Sequence, residues 1–429
     1  MRPATRTLAA CVVLSAVLGT IHAFSLFIDP FEEGLDAGRG AVSSVYSLAL
    51  VALTLAVLTG HPLFRRLPGP LVALGAAGGA AAGLLLASSA ASIAVLIVGY
   101  GLVFGASNGL GYAFSLQQGA EANPDRRGFA IGLVTAAYAL GAALGALFLD
   151  ARIEAVGAPG ALRSLAVVIV VAGVVSAILL ATGTQVAPAS DQPPPAQTLA
   201  GPVALDRQLL IRLWTAYGLA TLAGLMALGH AAAIAEEAGG SEGVGVTTVV
   251  VAGIASAAGG TWIAFTIDRA RLSYLLIGLP VASALALCVA ATATSGNTAL
   301  LGLSLVALVY GAVIAVYPFA VNRLFGERRY PAAYGRVFTA WGLAGLLGPL
   351  GAGTVFDSSG GYTVPLLLAA VAALCSAFVA RRIPNGVDPT GHACTVIRPR
   401  RGIFQLAGPS LRSAVFDSGH RMVRVGEAP

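Results

Sequence analysis

The sequence predicts an all-helical membrane protein with twelve transmembrane helices arranged as two six-helix bundles. Three observations predict it. About twelve apolar stretches follow one another with almost no charge in their middles. Only 10% of the residues are charged and 57% are hydrophobic, with a mean hydropathy of +0.84, whereas a soluble domain carries roughly 25% charged residues. The two halves of the chain also echo each other. A spanning helix needs about 20 mostly apolar residues to cross a hydrocarbon core about 30 Å thick. Composition therefore disfavours every soluble-enzyme class before any motif is read.

The spans are predicted at 8–28, 41–60, 70–89, 92–117, 129–150, 161–182, 209–235, 245–266, 272–292, 298–321, 334–354 and 362–381. Turns such as Pro68-Gly69-Pro70 and Ser88-Ser89 separate neighbours. The first span follows Arg2 and Arg6 like a secretory signal, but the many later spans make it an uncleaved first helix. Glycine is abundant, 54 of 429 residues, as expected where small residues let membrane helices approach closely.

All 25 basic residues are arginine. With both termini cytoplasmic, Arg39, Arg152 and Arg163 alone fall outside, leaving 22 inside. Arg65-Arg66, Arg126-Arg127, Arg269/Arg271 and Arg328-Arg329 mark cytoplasmic loops, the positive-inside pattern. The pI near 9.4 then reflects topological anchors, and no nucleic-acid partner is expected. The expected partners are the lipid bilayer and a small molecule, and the expected location is a bacterial plasma membrane. Twelve spans suffice for a monomer.

Acidic clusters follow the first span (Asp29, Glu32, Glu33, Asp36) and the seventh (Glu236, Glu237, Glu242), which suggests a duplicated six-helix unit. Tyr138 and Trp341 are 203 residues apart, as are Gly145 and Gly348. The predicted organisation is an N-terminal bundle over 1–182, a cytoplasmic linker over 183–207, a C-terminal bundle over 208–382 and an arginine-rich, disordered cytoplasmic tail over 383–429. Two such halves place a substrate site between them at the bilayer midplane. Cys11, Cys288, Cys375 and Cys394 have no CxxC or zinc-like spacing. They read as small hydrophobes, with no disulfide, metal or cofactor expected.

Six plus six helices with a long central loop resemble the major facilitator superfamily. Its loop signature after the second helix is G-x-x-x-D-R-x-G-R. The segment GHPLFRRLPG keeps Gly60, Arg65 and Gly69 but has Phe64 where the acid belongs. GGTWIAFTIDRAR keeps Asp268, Arg269 and Arg271 after the eighth span. The resemblance makes Arg65, Asp268, Arg269 and Arg271 candidate gating residues that latch inner helix ends, with topology anchoring as the alternative. Residues 317–353, YPFAVNRLFGERRYPAAYGRVFTAWGLAGLLGPLGAG, look more narrowly like the oxalate/formate antiporter family. So do GTIHAFSLFIDPF (19–31) and NPDRRGFAIGLVTAAYALG (123–141).

That narrower resemblance implies a carrier for a small carboxylate. The family's oxalate carrier uses a buried arginine in helix 8 and a buried lysine in helix 11. Here the span 245–266 has no basic residue, and Ala344 stands at the lysine position three after Trp341. A dianion without cations is poorly compensated in low dielectric, so a monocarboxylate is expected instead.

The substrate-lining candidates are His22, Asn108, Tyr112, Tyr138, Thr261, Tyr317 and Trp341, with Trp262 beside Thr261. Asn108 lies four before Tyr112, on one helical face. His22 is the ionisable side chain set well inside a span, which marks function by default; a helix–helix hydrogen bond is its alternative. A lone membrane tyrosine can equally be packing or an interfacial anchor. His230, Glu236 and Glu237 read as an exposed rim. Pro318 and Pro349 kink their helices and free backbone groups that need partners.

The expected activity is secondary transport of a small organic anion by alternating access, through exchange or proton symport. Proton-coupled drug or metabolite efflux is the alternative. It is weakened because the fifth span lacks the efflux G-x-x-x-G-P-x-x-G-G pattern: Gly141 and Gly145 are followed by Ala146 and no proline. A receptor finds no signalling domain here. Catalysis finds no triad, metal cluster or phosphate loop, so no enzyme is expected.

Overall fold

A computed structural model describes residues 2–183, 205–267, 269–326 and 329–385. Among the described residues every regular element is helical. The linker at 184–204, the tail at 386–429 and Asp268 lie outside them. Eleven helical stretches are long and apolar enough to cross a membrane. One of them, Pro124–Ala181, has 58 residues, about 87 Å of helix at 1.5 Å per residue and far more than one bilayer. Gly157 breaks it at φ 70°, ψ 170°. A side chain disfavours that conformation, and Pro159 close behind cannot supply an N–H to the preceding turn. The break makes twelve spans.

The helices are α1 (Pro3–Leu35), α2 (Arg39–Thr59), α3 (Gly69–Ala87), α4 (Ile93–Ala122), α5 (127–156), α6 (158–181), α7 (Arg207–Leu228), α8 (Glu242–Thr266), α9 (Leu272–Ala291), α10 (Gly296–Phe325), α11 (Tyr330–Ser359) and α12 (Thr363–Ala380). A short helix, His61–Arg66, joins α2 to α3, and another, Ala231–Glu237, follows α7. Two boundaries differ from the sequence reading. The expected loop over 151–160 is helical up to Gly157. The expected end of the first span at 28 is passed by an added helical segment, Ile28–Leu35, so Asp29, Glu32 and Glu33 ride on helix rather than loop.

Pro3 and Ala380 share one end of the bundle, here the termini face; the α1–α2 turn lies at the far face. Small residues bring backbones together within each half. Gly19 and Gly141 seat α1 against α5 at Tyr138 and Ala16, and Gly105 and Gly109 seat α4 against α2 at Ala49 and Leu53. Gly259 and Gly311 join α8 to α10 in the same manner. Gly145 meets Thr20 of α1, while Gly348 meets Leu222, Leu225 and Met226 of α7.

Two seams join the halves, α2 along α11 and α5 along α8. Gly342, Gly345 and Gly353 of α11 meet Thr54, Leu50 and Ser43 of α2, and Gly253 of α8 meets Ala139 and Ala143 of α5. Towards the termini face the seams end. Gly128, Gly132 and Gly335 have no neighbour within 4 Å of a would-be Cβ, and no extended packing joins α4 to α10. The halves therefore converge at the far face and part towards the termini face. Cys11 is buried, whereas Cys288 and Cys375 are exposed rather than packed inside.

Candidate functional site

The site begins with two irregular helices. Within α1, Gly19–Phe27 runs as a nine-residue 3-10 helix, longer than such runs usually are. Within α4, Ile97–Phe104 winds as a π-helix; such turns recur at functional sites. The change of pitch in α1 disturbs the usual i→i+4 pairing of its carbonyls. Two α4 side chains take them up: Asn108 Nδ2 donates to the Leu18 carbonyl at 2.6 Å and Tyr100 Oη to the Ile21 carbonyl at 3.3 Å. Asn108 Oδ1 accepts from Tyr138 Oη at 2.8 Å. Asn108 is thus fully buried with both ends occupied, pinning α1, α4 and α5 together.

Around that pin stands an aromatic wall. His22 Nδ1 lies 2.7 Å from Tyr46 Oη, and its ring meets Tyr138 edge-on at 5.4 Å. Tyr112 packs against Tyr138 with centroids 4.3 Å apart. In the other half Trp341 Nε1 donates to Tyr310 Oη at 2.8 Å. Phe338 stacks on Trp341 at 5.6 Å, and Tyr217 packs on Tyr317 at 4.5 Å. The Tyr310 hydroxyl is within electrostatic reach of Tyr46, Tyr112 and Tyr138, so the two walls face each other.

The wall has two layers. His22, Tyr112, Tyr310 and Tyr334 keep partly accessible surface although protein surrounds them, as side chains lining an internal cleft do. Tyr46, Asn108, Tyr138, Tyr217, Tyr317 and Trp341 are buried behind them.

Of the candidates read from sequence, His22 and Tyr112 sit in the front layer; Asn108, Tyr138, Tyr317 and Trp341 sit in the back. Thr261 joins neither: it is exposed, and its hydroxyl bonds its own helix at Ala257 O, 2.8 Å away. Its neighbour Trp262 is 50% exposed. Sequence reasoning missed Tyr46, Tyr217, Tyr310 and Tyr334. Two carried a signal: Tyr310 precedes Tyr317, and Tyr334 precedes Trp341, by seven residues, two helical turns on one face. Arg65, Arg269 and Arg271 are exposed at the termini face and make no ion pair among the described residues. Arg271 lies 5.8 Å over the Tyr274 ring.

The polar joints between the halves lie at the far face. Asp357 of α11 accepts from the backbone N–H groups of Arg39 and Gly40 at 3.0 and 2.8 Å, so it caps the start of α2 from the opposite half. The Arg39 side chain pairs with Asp29 and Glu32, donates to Tyr362 Oη at 3.0 Å and packs over Phe356 at 4.3 Å. Pro349 lies inside α11, where it has no N–H for the Gly345 carbonyl, and neighbouring side chains bond the backbone beside it. Its carbonyl meets His230 Nε2 at 2.9 Å, and the next N–H, of Leu350, donates to Ser47 Oγ at 2.9 Å. His230 also reaches Tyr362 Oη at 2.8 Å and Ser43 Oγ at 3.3 Å. His230 was expected on an exposed rim; it is 0% exposed because Ser43, Pro349 and Tyr362 enclose it.

The chain is similar to the MFS-type transporter YhjX of Escherichia coli (strain K12), described as uncharacterized: 23% identity over 354 residues, 79% of this chain and 85% of that one. A D-xylose–proton symporter structure superposes with a TM-score of 0.69 at 15% identity, covering 88% of this chain and 97% of that one. The inward open xylose transporter XylE from E. coli gives 0.71 at 12% identity, covering 88% and 95%. At such identities the structures speak for the fold. Residues 8–329 match the Major Facilitator Superfamily, and with twelve spans in two packed halves, the chain belongs to that superfamily of secondary transporters.

Proposed function

We propose that this transporter carries a small organic anion, a monocarboxylate, across a bacterial plasma membrane by alternating access, through exchange or proton symport. One observation carries the reading: the cleft is walled by aromatic rings that present hydroxyl and imidazole groups, the sequence has no lysine, and no arginine among the described residues joins them. Such a wall excludes water and offers neutral donors to one negative charge; a dianion in the same place would lack compensation. When Tyr46 donates to His22 Nδ1, the ring's Nε2–H is left to donate to an anion, and protonation would let the same ring carry a proton.

The positive-inside rule sets the termini face in the cytoplasm, so the cleft opens inward. The far-face joint through Arg39, Asp357 and His230 is then the closed outer gate. Arg65, Asp268, Arg269 and Arg271 are candidate partners when the inner face closes. The protein works as a monomer, since both walls come from one chain. Efflux of amphipathic cations is the second reading, favoured by the tyrosine and tryptophan faces, which attract cations.

Thermal unfolding of the purified protein with formate, acetate, lactate, pyruvate, oxalate or amphipathic amines tests this, repeated in Tyr112→Ala. A ligand that binds only the folded form at about 100 times its Kd stabilises by about 2.7 kcal/mol. A monocarboxylate is expected to raise the midpoint in the wild type and not in the variant. A response to amines alone would replace the anion reading with efflux.

A further inference from the structure

The Trp341 indole of the back layer leaves the front-layer Tyr310 hydroxyl with a directed, unassigned proton. The Trp341 indole is a donor only, and it donates to Tyr310 Oη. That oxygen therefore acts as acceptor, and its own O–H must point elsewhere. No acceptor for it appears among the described residues. The other hydroxyls differ. Tyr138 gives its proton to Asn108 and Tyr46 is engaged with His22. The Tyr217 and Tyr317 hydroxyls are unpartnered but fully buried away from the front layer, and among the described residues no indole donates to Tyr112 or Tyr334 to orient their hydroxyls. Tyr310 is also held: its ring packs against Gly224 of α7, where a Cβ would collide with it, while Phe338 stacks behind Trp341.

We propose that Tyr310 is the specificity-determining donor of the C-terminal half, with Trp341 as its positioning residue. The Tyr310 O–H points into the cleft and gives its hydrogen bond to the substrate carboxylate, opposite His22. This rests on the monocarboxylate reading above. The indole N–H fixes the hydroxyl rotor and polarises it, since linked hydrogen bonds strengthen one another. The carboxylate is thus selected over neutral isosteres by a donor rather than by a fixed cation. Trp341 acts through Tyr310 and does not touch substrate.

A binding cycle on the full chain tests this. Formate, acetate and lactate are titrated into the wild type, Tyr310→Phe, Trp341→Phe and the double variant. The neutral amide of the tightest acid is titrated alongside. Hydrogen bonds to charged groups are among the stronger ones, so Tyr310→Phe is expected to weaken the acid by about 10- to 100-fold. Trp341→Phe is expected to cost about 3- to 10-fold through the lost alignment, and to add nothing in the Tyr310→Phe background. The acid-to-amide preference should fall with Tyr310→Phe, a change that general loosening of the pocket does not produce. Acid binding unchanged in Tyr310→Phe, or a full Trp341→Phe loss added on top of it, would overturn the proposal while leaving the transport reading intact. A wild type that binds none of the acids would instead overturn that reading, and this proposal with it.

Discussion

Asn108 and Glu236 show how single side chains set the behaviour of this carrier. Asn108 satisfies the Leu18 carbonyl at the α-to-3-10 switch and accepts from Tyr138. Asn108→Leu would leave both groups buried without partners, at about 1–3 kcal/mol each. The expected result is a clearly lowered unfolding midpoint, measured by thermal shift, with His22 less well placed. Glu236 packs against Gly245 at the far face. Its carboxyl is pushed up to about 7, chiefly by burial and then by Asp29 and Asp150, with Arg39 opposing. An acid whose folded pKa lies above its unfolded value of about 4.5 stabilises the fold when protonated. That stability is present at low pH and is lost as pH rises from about 4.5 through about 7. Glu236→Gln should therefore flatten the fall in the midpoint between pH 5 and pH 8. An unchanged slope would assign the titration to another group.

At the scale of elements, α1, α2, α4, α5, α10 and α11 carry the functional geometry, and they differ in how far the sequence showed it. Hydropathy located each span because the bilayer sets both length and polarity. It could not show the 3-10 run in α1 or the π-helix in α4, since both are as apolar as regular helix. Pro349 did announce an irregular stretch of backbone, and the structure puts His230 on its carbonyl and Ser47 on the Leu350 N–H. The cap on α2 was illegible for a different reason: Arg39 and Asp357 are 318 residues apart, and no local pattern marks a helix capped from the other half. Asp357→Ala should weaken that joint by about 1 kcal/mol, a usual value for a lost cap. Hydrogen exchange at the amides of Arg39 and Gly40 is then expected to speed up about fivefold. Unchanged exchange would mean that α2 does not depend on Asp357.

Over the whole molecule, the residues that suggested a twofold repeat in the sequence, Gly145 and Gly348, each pack on the first helix of their own half, against Thr20 and against Leu222, Leu225 and Met226. The sequence candidates His22, Tyr112, Tyr138, Tyr317 and Trp341 lie among the clustered rings. Residues such as Tyr46 and Tyr217 escaped because a tyrosine in a span looks the same whether it lines a cleft or fills a core. The closed far face and parted termini face are the arrangement that the proposed rocking of the halves would take as its inward-open end state. The most direct test is counterflow into proteoliposomes: radiolabelled acetate or lactate outside, the same acid unlabelled inside, with oxalate as the contrasting dianion. The expected result is accumulation of a labelled monocarboxylate above protein-free vesicles, abolished by Tyr112→Ala, with oxalate excluded. No uptake of any monocarboxylate, or uptake of oxalate at a matching rate, would contradict the assignment of this neutral aromatic cleft to a single negative charge.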